Sequence, residues 1–335
     1  MEIPKAADLL QQAFTLQAPQ DLYKTAVRVF YYQYHHNSVY RSFCSVLGRH
    51  PGNVHQWQDI PFLPISFFKT QAVRDGDFTP EAVFTSSGTT GAATSRHEVR
   101  SLALYERSFR QAFEQFYGAP SRYCLLGLLP AYLERGGSSL VYMVDRLIGD
   151  SGHPLSGFYL HDHERLAQTL QTLEAAGQPT LLIGVTYALL DFAERYPMPL
   201  RHTLLMETGG MKGRREELLR SEVHERLQAA FGVPAVHSEY GMTELLSQAY
   251  SAGAGRFGTP PWMKVLLREE DDPFALHAEG PATRSGAASI IDLANLHSCS
   301  FIATDDLCRL HPDGSFEIAG RIDHSDVRGC SLLAV

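Results

Sequence analysis

Hydroxyl residues and glycines are concentrated in one short segment, Thr85-Ser86-Ser87-Gly88-Thr89-Thr90-Gly91, which follows the apolar run Ala82-Val83-Phe84. Glycines let the backbone approach an anion closely, while backbone N–H groups and hydroxyls donate to phosphate oxygens. The segment lacks the Gly-Lys-Ser/Thr ending of a Walker loop. It therefore predicts a phosphate-binding loop built from neutral donors, with a solvated turn as the alternative interpretation.

A second candidate segment, Ser238-Glu239-Tyr240-Gly241-Met242-Thr243-Glu244, follows the predicted strand Ala235-Val236-His237. The Tyr240 ring could stack on a nucleotide base, and Glu244 could hold a divalent metal beside phosphates. The alternative is an ordinary strand-to-helix turn in which Thr243 is the N-cap.

Two further polar segments lie near the end of the chain. Thr304-Asp305-Asp306 follows the predicted strand Phe301-Ile302-Ala303, and a carboxylate at a strand end could accept both hydroxyls of a ribose. An ordinary acidic turn is the alternative interpretation. The second segment is Gly320-Arg321-Ile322-Asp323. It is followed by Arg328-Gly329-Cys330, so a cysteine lies close to a basic residue there.

The bulk composition narrows the possible classes of function. The sequence has 335 residues, 44% hydrophobic and 20% charged, which is enough apolar material for a sizeable core. A formal net charge of -8 without a long basic run argues against a nucleic-acid surface, because phosphate backbones require clustered Lys and Arg. Residues 1–16 lack the features of a signal peptide, and no apolar run of about 18 residues predicts a membrane span.

Five cysteines are present, at 44, 124, 299, 308 and 330, without the CxxC or CxxH spacing of a zinc site. An odd count also fits a disulfide framework poorly. A cytoplasmic, reducing environment is therefore expected. The histidine pairs His35-His36 and His161-Asp162-His163 lack a third ligand, so no structural metal is expected.

Short apolar runs alternate with helical patterns from about residue 82 to residue 250, which is typical of a parallel sheet with helices on its faces. The predicted strands are 123–129, 180–184, 204–206 and 235–237, and the predicted helices are 20–48, 101–117, 138–149, 163–176, 186–195 and 214–230. After residue 250, shorter runs and a Pro312-Asp313-Gly314 turn predict a smaller β-rich subdomain. We predict four regions: 1–80, helical and packed on the core; 81–250, the α/β core; 251–320, β-rich; and 321–335, a short tail.

In order and spacing, the four polar segments resemble the motifs of the adenylate-forming superfamily, which includes acyl-CoA ligases, peptide-synthetase adenylation domains and luciferases. The family motifs are Thr-Ser-Gly-Thr-Thr-Gly, Tyr-Gly-x-Thr-Glu, Thr-Gly-Asp and Gly-Arg-x-Asp. Here the first motif is one residue longer, and Asp305 replaces the glycine of the third. One such motif alone is a weak signal, but four in family order are strong together.

Within that superfamily the chain looks like the LuxE-like acyl-protein synthetases. Residues 61–69, Pro-Phe-Leu-Pro-Ile-Ser-Phe-Phe-Lys, resemble the N-terminal block of those enzymes. Residues 206–213, Met-Glu-Thr-Gly-Gly-Met-Lys-Gly, resemble their central block. Arg328-Gly329-Cys330-Ser331-Leu332-Leu333 resembles their C-terminus, where a cysteine accepts the acyl group.

The resemblance implies an α/β fold like the N-terminal domain of adenylate-forming enzymes, with mixed and parallel sheets flanked by helices and a small β-rich subdomain. It implies that ATP and Mg²⁺ are used to make an acyl-adenylate. Thr243 would contact the α-phosphate, Glu244 would hold Mg²⁺, and Asp306 would bind the ribose. Tyr240, next to Gly241, would lie against adenine, and Arg321 would approach ribose or phosphate. The residues expected to surround the phosphates are Ser86, Ser87, Gly88, Thr89, Thr90 and Gly91.

The sequence departs from the wider superfamily after the Gly-Arg-x-Asp motif. Ordinary members continue into a small C-terminal domain with a catalytic lysine, whereas only five residues follow Cys330 here. The full C-terminal domain and its lysine are therefore expected to be absent. Lys212 is the first candidate for a replacement cation, and Arg321 is the second.

The resemblance makes Cys330 the expected nucleophile. A thiolate attacks an acyl-adenylate readily, and Arg328 would favour the thiolate form. The acyl group would then pass to a partner protein, such as an acyl reductase or a carrier. A fatty acid is the expected substrate, and small or aromatic acids fit the motifs as well. Two alternatives stay open: a ligase that uses an external thiol, such as coenzyme A or a carrier, and a nucleotide-binding module without catalysis.

Overall fold

The computed structural model describes residues 3–86, 94–129, 137–209, 218–269 and 274–322. The helices in these ranges are α1 (Ala6–Ala13), α2 (Pro19–His36), α3 (Ser38–Val46), α4 (Phe67–Thr70), α5 (Leu102–Tyr117), α6 (Ser139–Ser151), α7 (His163–Ala175), α8 (Thr186–Arg195) and α9 (Arg220–Phe231). Short 3-10 turns occur at Trp57–Asp59, Pro120–Arg122 and Leu293–Asn295. None of the described helices is both long and apolar enough to cross a bilayer.

The strands form two six-stranded sheets and a separate hairpin. They are β1 (Leu63–Pro64), β2 (Ala82–Thr85), β3 (Arg96–Val99), β4 (Cys124–Leu128), β5 (Gly157–Phe158), β6 (Thr180–Gly184), β7 (Thr203–Glu207), β8 (His237–Tyr240), β9 (Ala249–Ser251), β10 (Met263–Arg268), β11 (Leu276–His277), β12 (Arg284–Asp292), β13 (Phe301–Leu310) and β14 (Phe316–Arg321).

The first sheet has the order β5-β4-β6-β7-β8-β9, and all its pairs are parallel except β8 with the edge strand β9. Every residue of β4 and β6 is buried, as expected for strands covered by helices on both faces. The predicted α/β architecture is therefore confirmed. The second sheet has the order β1-β13-β12-β10-β11, with β14 also paired to β13.

The segment around Tyr240 lies differently from the prediction. β8 begins at His237, not at Ala235, so Ser238, Glu239 and Tyr240 belong to the strand. The chain then turns and returns as the antiparallel strand β9, which pairs Tyr240 with Ala249. No helix follows, so the interpretation of Thr243 as an N-cap is wrong.

The segment Thr304–Asp306 also lies inside a strand and not after one. β13 continues to Leu310 because its pairing with β12 resumes after a register shift between Ala287 and Ser289. This irregularity lets polar residues occupy the middle of a buried strand. The predicted turn at 312–314 is confirmed, and it leads into β14.

The helical pattern over 20–48 forms two helices and not one. The chain breaks at Asn37, whose side chain accepts a hydrogen bond from the Tyr40 backbone and donates to the carbonyl of Ser298. Gln33, one turn earlier on α2, is fully buried. Its amide donates to the carbonyls of Asn295, Leu296 and Ser298 and accepts from the backbone N–H of Ser300. These bonds attach α2 to the connection between β12 and β13.

Two buried glutamates occupy the carboxyl ends of β7 and β8. Burial alone would raise the pKa of Glu207, but His224, Arg220 and the Gly209 N–H outweigh it and hold the pKa at about 2. Arg220 Nε lies 3.1 Å from Glu207 Oε1. Glu239 is in the opposite situation, because burial and the charge of Glu207 raise its pKa to about 8. The fold therefore holds one carboxylate charged and its neighbour protonated.

We expect Gln33→Ala to lower the free energy of unfolding by about 3 kcal/mol, because several buried backbone groups lose their partner together. Chemical denaturation measures this value. The matched control is Gln11→Ala, on the exposed face of α1, where a change below about 0.5 kcal/mol is expected. Equal effects of the two changes would contradict the anchoring role of Gln33.

Glu239→Gln is expected to change how stability depends on pH. A carboxyl whose pKa is raised by folding stabilises the folded state fully at low pH and loses that contribution as pH rises toward about 8. Relative to the variant, the wild type should lose up to about 1.4 kcal/mol per pH unit between about pH 5 and pH 8. Unfolding measured across that range checks this. Exposed Glu225→Gln is the control, and parallel profiles for wild type and Glu239→Gln would refute the shift.

Candidate active site

Described residues of all four polar segments converge at one edge of the first sheet. Parallel strands β4, β6, β7 and β8 end at this edge, where ligands bind in open α/β sheets. Several predicted site residues lie outside the described residues, namely Ser87, Gly88, Thr89, Thr90, Gly91, Lys212 and Cys330. The described site residues are Ser86, Tyr240, Gly241, Thr243, Glu244, Asp306 and Arg321.

The predicted phosphate loop is the connection of the β2–β3 hairpin. Thr85 pairs with Arg96, and Ser86 continues the ladder by donating its N–H to the Ser95 carbonyl at 3.1 Å. The Ser86 hydroxyl oxygen accepts from the Ser95 N–H at 2.9 Å. Ser86 therefore closes the base of the loop, and its hydroxyl oxygen already has one partner.

The hairpin is joined to the turn that follows β8. The Ser95 side chain lies close enough to Glu244 to lower the pKa of its carboxyl. His97, on β3, is buried, and its Nδ1 lies 2.8 Å from the carbonyl oxygen of Thr243. Since a carbonyl only accepts, Nδ1 carries the proton. Burial lowers the pKa of His97 to about 4, so the ring is neutral at physiological pH.

Glu244 is a buried carboxylate with few partners. Its side chain is 5% exposed, and burial raises its pKa while the Ser95 hydrogen bond acts in the opposite direction. Carboxylate oxygens suit Mg²⁺, which proteins hold with one or two carboxylates together with substrate phosphates. Among the described residues, no cluster of three His, Cys, Asp or Glu side chains could hold a metal by itself. Glu244 therefore fits a metal that is bound together with a phosphorylated substrate.

Tyr240, Asp306 and Arg321 form a connected group between the two sheets. Tyr240 donates its hydroxyl to Asp306 Oδ2 at 2.8 Å, and Arg321 Nε donates to Asp306 Oδ1 at 3.1 Å. The ring of Tyr240 packs against Phe257 and Phe316. Asp306 is 5% exposed, so its two oxygens are fixed in direction by these donors.

Gly241 packs closely against a neighbouring side chain at the turn. A Cβ at this position would lie 2.6 Å from Oε1 of Glu239, which is closer than real contacts allow. Glu239 therefore occupies the space next to Gly241.

Three residues near the site were not identified from the sequence. His97 and Ser95 carry no motif signal, because their partners are about 150 residues away in the chain. Glu239 carries no signal beyond its segment, and its raised pKa depends on burial in the folded chain and on Glu207 of the neighbouring strand. Such groups are visible only once the strands are ordered.

The chain is similar in sequence to acyl-protein synthetases and fatty-acid ligases. The family model described as "Acyl-protein synthetase, LuxE" matches residues 13–122. A curated relative, the long-chain-fatty-acid–luciferin-component ligase of Vibrio harveyi, is 24% identical over 354 residues, covering 96% of this chain and 89% of the relative.

Solved structures share the fold at low sequence identity. ATP-bound MatB from Rhodopseudomonas palustris has a TM-score of 0.54 at 17% identity, with 84% of this chain and 56% of MatB covered. MenE from Bacillus subtilis, an O-succinylbenzoate coenzyme A synthetase solved with ATP and a magnesium ion, has a TM-score of 0.50 at 16% identity, with 74% and 51% covered. The chain spans about half the length of these solved structures. The resemblance indicated by the motifs is confirmed: the chain is similar to LuxE acyl-protein synthetases in sequence, and it has the fold of the adenylate-forming enzymes.

Proposed function

We propose that the chain activates a fatty acid with ATP to an acyl-adenylate, transfers the acyl group to Cys330, and then delivers it to a partner protein. The strongest support is the convergence of the β2–β3 hairpin, the Thr243–Glu244 turn and the Tyr240–Asp306–Arg321 group at one sheet edge. The printed name of the Vibrio harveyi relative, a long-chain-fatty-acid ligase, supports the choice of acid.

In the first step, a carboxylate oxygen of the acid attacks the α-phosphorus of ATP. An acyl–phosphate bond forms, the bond to the β-phosphate oxygen breaks, and pyrophosphate leaves with the electron pair. Because negative charge builds on the phosphate oxygens, positioned donors should supply much of the catalysis. Mg²⁺ bound at Glu244 would offset charge on the phosphates.

The residues of the chain then have distinct proposed roles. Ser86, Ser87, Gly88, Thr89, Thr90 and Gly91 surround the phosphates, and Thr243 contacts the α-phosphate. Asp306 orients the ribose hydroxyls, since its carboxylate is already aligned by Tyr240 and Arg321. Tyr240 and Gly241 form the side of the site nearest the adenine.

In the second step, a thiolate attacks the acyl carbon and AMP leaves. The other four cysteines support Cys330 as this nucleophile. Cys44, Cys124, Cys299 and Cys308 are all buried, and burial raises the pKa of each thiol. A buried thiol with a raised pKa is a poor nucleophile. The final acceptor is proposed to be a protein, such as an acyl reductase or a carrier.

We expect wild-type protein incubated with ATP, Mg²⁺ and mixed carboxylic acids to gain the mass of one acyl group. Intact-mass spectrometry measures the gain, and hydroxylamine should remove it because it cleaves thioesters. The paired variant Cys330→Ser should release pyrophosphate without a stable adduct. Pyrophosphate release with no adduct on the wild type would instead indicate an external thiol such as coenzyme A. No pyrophosphate release with any acid would leave a nucleotide-binding module.

Asp306→Asn is expected to weaken ATP binding about tenfold, because the amide cannot accept from Tyr240 and Arg321 while also orienting a ribose. Titration with a fluorescent ATP analogue measures the dissociation constant. The matched control is Asp313→Asn on the exposed β13–β14 turn, where affinity should stay within about twofold. Unchanged affinity in Asp306→Asn would remove its assignment to the ribose.

A further inference from the structure

The short helix α4 is attached to the strand that carries Asp306. β1 pairs in parallel with β13, with Leu63 opposite Ile302 and Pro64 opposite Ala303. The Ile65 N–H then donates to the Ala303 carbonyl at 2.9 Å. Because α4 begins two residues after Ile65, it starts beside the first part of β13, close to Asp306.

The other side of α4 contacts the hairpin that carries the predicted phosphate loop. Phe68 is buried, and its ring meets the His97 ring edge-on with centroids 5.8 Å apart. His97 in turn holds the carbonyl of Thr243. The next residue after Phe68 is therefore fixed near the Thr243–Glu244 turn.

That next residue is Lys69, whose side chain is exposed. Burial raises the pKa of the Glu244 carboxyl, and the positive charges of Arg321 and Lys69 act in the opposite direction. Lys69 forms no salt bridge within the part of the chain that the structure describes. Its ammonium therefore lies close enough to affect the Glu244 carboxylate without being paired to it.

Two other cations near this turn, Arg321 and Arg268, already have partners. Arg321 is bonded to Asp306, and Arg268 donates to the carbonyls of Ala288 and Thr304. A cation that binds a substrate's phosphate is most effective when it is not already neutralised by the protein. Lys69 meets this condition.

We propose that Lys69 contacts the α-phosphate oxygens of the bound nucleotide and stabilises the charge that builds there while the acyl–phosphate bond forms and pyrophosphate leaves. The proposal rests on the proposed function and adds a catalytic residue to it. Lys69 keeps its proton throughout, so the step needs no further reactant. Lys69 would then supply the cation that replaces the missing C-terminal-domain lysine, a role for which the sequence suggested Lys212 and Arg321.

The test is ATP–pyrophosphate exchange driven by a saturated long-chain fatty acid, with Lys69→Ala, Lys69→Arg and Lys24→Ala compared with wild type. Lys24 is an exposed lysine on α2 that pairs with Asp21, so its removal controls for loss of a surface charge. We expect kcat for exchange to fall on the order of a hundredfold in Lys69→Ala with a small change in KM for ATP. Lys69→Arg should recover at least about a tenth of the wild-type kcat, and Lys24→Ala should match wild type.

Exchange by Lys69→Ala within about twofold of wild type would overturn the proposal. Equal losses in Lys69→Ala and Lys69→Arg, accompanied by lowered thermal unfolding temperatures, would indicate a structural role and would also overturn it. Absence of exchange in the wild type with every acid tried would refute the proposed function, and the assignment of Lys69 would fall with it. The wild-type measurement therefore distinguishes the two failures.

Discussion

The site depends on one constraint: between β8 and β9 the chain is buried from Glu244 onward, but it has no regular secondary structure there. Its backbone groups cannot pair within a helix or a sheet, so other segments must supply partners. Asp292 accepts from the N–H groups of Leu246 and Ser247, and Asn295 donates to the Glu244 carbonyl. Asp292 is the last residue of β12 and Asn295 follows it, so both partners are attached to the second sheet. The position of Glu244 is therefore determined by how the two sheets pack together.

The same constraint explains why a neutral histidine lies beside the Thr243–Glu244 turn. His97 donates to the Thr243 carbonyl, and burial keeps its pKa at about 4. A neutral donor satisfies the turn without adding a fixed charge next to Glu244. The positive charge that acts on Glu244 comes instead from Arg321 and Lys69, which oppose the effect of burial on its pKa.

The N-terminal region is part of this arrangement and not a separate addition to it. Leu63 and Pro64 extend the second sheet, and Gln33 binds the connection that contains Asn295. Support for the site therefore comes from segments more than 200 residues apart in the chain. A change in α2 should reach the Glu244 turn through these hydrogen bonds, because both meet at Asn295.

The sequence by itself determined the alternation of strands and helices, because buried parallel strands such as β6 appear as continuous apolar runs. It also identified the polar segments. It misplaced Tyr240 and Asp306, which lie within strands, because apolar periodicity marks a strand only where its residues are apolar. Only the tertiary structure decided which groups meet. His97, Glu239 and Lys69 acquire their environments from residues distant in sequence, and pKa values and unpaired charges depend on those neighbours in space.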